Sequence, residues 1–152
     1  MLGEDYPCLL AHVMSAIEWK IELPPDQEGF FDESGPTPSY DNDMRRAVRT
    51  RIRTRGLLFW ESGYPPMDRV VKPIAIYTKD FSKTGFGFIA DQQFIPGEVV
   101  RVFLATFWMQ VSVTRCRRLG PGCYSCGGTL ISRHDPEVEP LHEMLAASAQ
   151  PA

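Results

Sequence analysis

Apolar positions along the chain follow two rhythms. From residue 50 to 133 they come as short runs and alternations, which predict strands at 50–60, 70–79, 84–90, 98–106, 108–117 and 123–132. Turn signals such as "ESGYPP", "IPGE" and "LGPG" separate them. Short strands without long helices between them predict an antiparallel barrel or sandwich, and closure of the sheet removes exposed edges. The ends of the chain have a different period. In "DYPCLLAHVMSAI", residues 5–17, Leu9, Leu10, Val13, Met14 and Ile17 recur at helical spacing, with Pro7 near the start. An amphipathic stripe of this kind either covers a barrel mouth or edge, or docks a partner; packing is the usual fate and the expectation here. "EWKIEL" alternates Trp19, Ile21 and Leu23 with charged residues, the pattern of a short strand.

The C-terminal segment has its own start signal. Asp135 reads as an N-cap and Pro136 as the first helical residue, with Glu137 and Glu139 near the positive helix end. Val138, Leu141 and Leu145 share one side, and Pro140 fits because first-turn N–H groups have no partner inside the helix. A helix over 136–147, folded back on the barrel, is expected. Between the N-terminal helix and the strands lies "PPDQEGFFDESGPTPSYDND", residues 24–43, rich in Pro, Gly, Ser and acids. It reads as a linker too polar to order itself, with Phe30 and Phe31 as its only large apolar anchors.

Composition sharpens this picture. At 152 residues the chain suits one domain with tails, and its 13 prolines and 12 glycines fit many turns. The net charge of −3 conceals an asymmetry. Residues 1–43 hold ten acids and one Lys, a balance of −9, whereas residues 44–152 hold 15 bases and nine acids, a balance of +6. Half of the 12 arginines fall in "RRAVRTRIRTR", Arg45 to Arg55. A chain with pI near 5.6 lacks the broad basic face of a general nucleic-acid binder; a focused basic spot suits a compact anion. No basic n-region opens the chain, and the long uncharged runs, Val102 to Thr114 and Leu119 to Ser132, are too short to span a bilayer. A soluble, cytoplasmic protein without membrane insertion is expected.

The four cysteines are Cys8, Cys116, Cys123 and Cys126. "CYSC" has the spacing of half a zinc site or a redox pair, but no second pair matches it. In an extended segment Cys123 and Cys126 face opposite ways, so packing is the expected role and no metal or cofactor is assigned.

Two motifs carry the candidate chemistry. Arg45 and Arg49 are spaced R-x-x-x-R before the first predicted strand, with Arg46 as a third candidate. Each guanidinium offers a planar fork that matches phosphate oxygens or the O6/N7 edge of guanine. Arg49/Arg53 and Arg51/Arg55 have the same spacing; Arg51, Arg53 and Arg55 read as a solvated strand face that deters edge pairing. The second motif is "DFSKTG". Asp80 and Ser82, two apart, face one way in extended backbone; the carboxylate can accept from guanine's N1–H and N2–H, and the hydroxyl can bond a phosphate or an exocyclic group. Gly85 lets the backbone turn or approach a flat base.

R-x-x-x-R, thirty intervening residues, D-x-S-x-x-G, "IPGEVVRVFL", a second hairpin and a final helix together resemble the PilZ family over roughly residues 44–147. "CYSCGGTLI" is similar to that family's last strand, with Gly127 where the family usually has glycine. The resemblance implies an all-β fold, a six-stranded antiparallel PilZ-type barrel with a C-terminal helix; the N-terminal helical extension read above lies in the first 43 residues, where the sequence departs from the family. It implies binding of cyclic di-GMP, with Arg45 and Arg49 on phosphates and guanine edges, Arg46 auxiliary, and Asp80, Ser82 and Gly85 as the barrel-side half. Ordering of the arginine-rich segment would then relay the messenger to a downstream protein partner.

The expected organisation is 1–23 helix and short strand, 24–43 linker, 44–147 barrel with C-terminal helix, and 148–152 tail. Rival functions are an adaptor of the same fold that does not bind the nucleotide, and a small barrel that binds single-stranded nucleic acid through Phe59, Trp60, Phe107 and Trp108. An enzyme is not expected, because His12, His134 and His142 lie in terminal segments with no nucleophile or metal partner beside them.

Overall fold

The computed structural model describes residues 5–17, 19, 21, 23, 35–36, 50–51, 54–62 and 72–149. In chain order the elements are α1 (Tyr6–Ala16), β1 (Gly35–Pro36), β2 (Thr50–Arg51), β3 (Arg55–Ser62), β4 (Ile74–Phe81), β5 (Gly85–Ala90), β6 (Val99–Phe103), β7 (Trp108–Gly120), β8 (Cys123–His134) and α2 (Val138–Ala149). Strands β4, β3, β6, β7, β8 and β5 pair antiparallel in that order, and β5 pairs back onto β4. The result is a closed six-stranded antiparallel barrel with a helix at each end of the chain.

Alternation explains its inside. Leu58, Ile74, Ile76, Phe86, Phe88, Val100, Val102, Met109, Val111, Val113 and Cys126 form one buried cluster. On β5 the opposite face is covered too, so that strand is buried at every position. Leu57 and Phe59 of β3 and Phe103 of β6 point outward, under Tyr6, Leu9, Leu10 and Val13 of α1 and Leu141 of α2. The α1 stripe is therefore spent on packing. Its first turn is capped by Asp5, whose side chain accepts the Cys8 N–H at 2.9 Å; hydrogen bonding to the Cys8 thiol, and then to that amide, holds the carboxyl below its ordinary value. In the turn before β6, Pro96 and Gly97 occupy the central positions, and the Gly97 φ of 100° is one that glycine adopts without a Cβ penalty.

Several boundaries differ from the sequence expectation. The strand expected over 50–60 is two strands. β2 pairs with Asp80 and Phe81, β3 with Ile74 to Tyr77, and the registers are offset by one residue between Arg51 and Arg55. Thr78 bridges the break: its hydroxyl accepts the Thr54 N–H at 2.9 Å, and its own N–H donates to Thr54 O at 2.7 Å. Trp19, Ile21 and Leu23 stand outside any strand. Ile21 instead packs on Ile89 and Cys123, and Trp19 stacks on Tyr77 at 5.7 Å beneath the Arg55 guanidinium. Gly35 and Pro36, within the segment read as a linker, form β1 against β2. The last helix starts at Val138, because β8 runs on to His134 and Asp135–Glu137 make the turn; Pro140 still falls in the first turn.

Tyr6 ties α1 to the barrel. Its hydroxyl donates to Leu104 O, and burial pushes the phenol well above its ordinary value. The folded state thus favours the neutral form. Its contribution is complete below the ordinary phenol value of about 10 and is lost as pH climbs beyond it toward the raised folded value. Tyr6→Phe should cost about 1 kcal/mol at neutral pH, the worth of a net hydrogen bond, and should flatten the alkaline limb. Thermal melts between neutral and strongly alkaline pH check both; an alkaline limb as steep in Tyr6→Phe as in the wild type would contradict the assignment.

Candidate ligand-binding site

The "DFSKTG" motif forms the end of β4, the hairpin turn and the first residue of β5. Ser82 organises the turn. Its N–H donates to Gly85 O at 2.9 Å, and its Oγ accepts the N–H groups of Gly85 at 2.9 Å and Thr84 at 3.4 Å. The hydroxyl proton remains as a donor. Gly85 does not take a left-handed φ; its buried position at the start of β5 is fixed by these bonds. Phe81 points into the core, with its ring 4.8 Å from Phe86 and 5.7 Å from Phe107.

Asp80 faces outward because β4 carries a register shift. Thr78 pairs with Phe88 and Asp80 with Gly87, which leaves Lys79 as the extra residue. The Lys79 ammonium reaches across β5 and donates to Ser125 Oγ at 3.2 Å. The Asp80 carboxylate lies over β5: a Cβ on Gly87 would meet Asp80 Oδ1 at 2.6 Å. Only a glycine at 87 leaves that space open.

Asp80, Ser82 and Gly85 are thus gathered on one hairpin. Arg45, Arg46 and Arg49 lie outside the described residues, as does Arg53. What is described is the chain directly after Arg49: Thr50 pairs with Phe81, and Arg51 with Asp80. The strand that follows the arginine motif therefore runs beside the strand that carries the carboxylate.

One cation on the same face escaped the sequence reading. Arg115 of β7 is exposed, and its guanidinium lies against Gly127 of β8: a Cβ there would meet Nε at 2.7 Å and Cζ and Nη2 at 3.1 Å each. The β7–β8 register, which pairs Arg115 with Gly127, is what places it. The glycine at 127 was the signal in the sequence.

The cysteines divide as alternation requires. Cys126 lies in the barrel interior and Cys123 under Ile21 on the outside. Cys116 pairs with Cys126 across β7–β8, with their Sγ atoms 3.0 Å apart, and burial pushes the Cys126 thiol up. Among the described residues, no cluster of three or more His, Cys, Asp or Glu side chains is placed to hold a metal ion. Nor is any helix among them long and apolar enough to cross a membrane.

The aromatics considered as base-stacking platforms are engaged in packing. Phe59 is fully buried under the helices, and Trp108 is stacked between Phe103 at 5.6 Å and His134 at 4.1 Å. Trp60 and Phe107 pack against the barrel core, the latter with the Arg133 guanidinium 4.0 Å above its ring.

No protein-family model matches the chain, and no curated protein does.

Proposed function

We propose that the chain is a cyclic di-GMP receptor that relays the level of the messenger to a partner protein through ordering of its arginine-rich segment. The observation that carries this reading is the β2–β4 pairing, Thr50 with Phe81 and Arg51 with Asp80. It supports a meeting of the two motifs, which thirty residues separate in the sequence, around one ligand. The chemistry is complementary on both sides. An outward carboxylate over a glycine, Asp80 over Gly87, suits the paired N–H donors of guanine. Arginine forks suit the phosphodiesters. Ser82, whose oxygen is engaged by the turn, has its proton for a ligand acceptor. The fold supplies a rigid hairpin for this half of the site, closed on both sides by paired strands.

Calorimetric titration with cyclic di-GMP tests the reading. The wild type should bind, and Arg49→Ala and Asp80→Ala should each weaken binding about tenfold to hundredfold, from about 1–3 kcal/mol per lost bidentate contact. Unchanged thermal midpoints would show that both variants fold. Absence of binding heat with the wild type would leave the nucleotide-free adaptor in its place.

A further inference from the structure

The strand registers line up four residues in one row across the outer wall of the barrel. Asp80 of β4 pairs with Gly87 of β5, Gly87 with Gly127 of β8, and Gly127 with Arg115 of β7. The two outer members carry charge and the two inner ones have no side chain. Both charged groups lean inward over the neighbouring glycine, the carboxylate to within 2.6 Å of a Cβ on Gly87 and the guanidinium to within 2.7 Å of one on Gly127. A hydrogen-bond acceptor and a planar donor fork therefore face each other from opposite sides of the β5–β8 seam.

From this row, and resting on the reading of the chain as a cyclic di-GMP receptor, we infer that Arg115 is a further ligand-binding residue that sets the choice of base. Guanine has N1–H and N2–H donors on one edge and the O6 and N7 acceptors on another. A guanine lying over the seam gives its donors to Asp80 and its O6/N7 edge to the Arg115 fork. Adenine reverses the pattern at two points. Its exocyclic N6–H₂ donor stands where guanine has O6, opposite the donors of Arg115, and its N1 is an acceptor opposite the carboxylate. The same two residues that hold guanine thus oppose adenine, which is specificity by repulsion as well as by attraction. A lysine cannot substitute, because an ammonium is a point charge without the planar pair of donors. Two other described cations share this face but stand off the row: Arg117 pairs with Ser125, two residues from Gly127, and Lys79 bonds that same Ser125.

The test is calorimetric titration of the full chain with cyclic di-GMP and, separately, cyclic di-AMP. The set is wild type, Arg115→Ala, Arg115→Lys and Asp80→Ala. Arg115→Ala should bind cyclic di-GMP about tenfold to hundredfold more weakly than the wild type, and Arg115→Lys should recover little of that loss. The preference for cyclic di-GMP over cyclic di-AMP should shrink in both. Arg115 is exposed, so thermal midpoints should stay where they are; a variant that does shift is read instead through Gly127→Ala, which displaces the guanidinium without removing it and should also weaken binding. If the wild type binds and Asp80→Ala loses affinity, but Arg115→Ala binds as the wild type does, the inference about Arg115 is overturned while the receptor reading stands. If the wild type binds neither nucleotide, both fall together.

Discussion

Phe88→Ala is expected to remove about 3–5 kcal/mol of unfolding stability, the usual loss for a buried phenylalanine. The ring is fully buried, 5.6 Å from Phe86 and 5.8 Å from Phe94. Its strand, β5, is hydrogen-bonded to β4 on one side and β8 on the other. A cavity left there has little room to collapse, because the walls are held by ladders on both flanks. Urea denaturation followed by circular dichroism gives the difference directly. A loss of about 1 kcal/mol or less would mean that this strand does not close the barrel as described.

Gly128→Val should rank next, with a loss of about 3 kcal/mol, the upper end of what overpacking costs. A Cβ at position 128 would stand 2.5 Å from the backbone oxygen of Ser112 and 2.6 Å from Val111 Cγ1. The backbone of β7 cannot retreat without breaking its pairing with β8, where Val113 is opposite Gly128. Gly56→Ala is the matched comparison. Its added Cβ would meet Leu104 Cδ2 at 2.7 Å, the far end of a side chain that can rotate away. The same urea series should therefore place Gly128→Val well below Gly56→Ala. Equal losses would show that the wall at Ser112 yields as easily as a leucine methyl.

The barrel was legible because its strands have two readable signals, apolar alternation and glycine–proline turns, and these signals survive in a single sequence. Where one of them fades, the boundary is lost. β7 continues past Arg117 to Gly120, and β8 past Ser132 to His134, with no apolar rhythm to mark either extension. The break between β2 and β3 has no composition signal at all. It shows only in the pairing, as a one-residue offset of register on β4 beside which the Thr78 hydroxyl takes the Thr54 amide. Ile21 alternates with charged neighbours as a strand residue would, yet it covers Ile89 and Cys123 from outside any strand; alternation reports a buried side, not what buries it.

The candidate site divides in the same way. Asp80, Ser82 and Gly85 are close in the chain, so a local motif could find them, and the hairpin holds them together. Arg115 lies thirty-five positions from Asp80 in the sequence and reaches the same row only through three strand registers. The Cys116–Cys126 approach has the same origin, since it depends on which residue of β7 stands opposite which residue of β8.

Both ends of the polypeptide share one seat on the barrel wall. Tyr6, Leu9, Leu10 and Val13 arrive there from the beginning and Leu141 from the end, over Leu57, Phe59 and Phe103. The leading helix acts as a gasket on which the trailing helix leans. Dislodging one would wet the seal under the other, so whatever loosens the first turns of the chain is felt at its last.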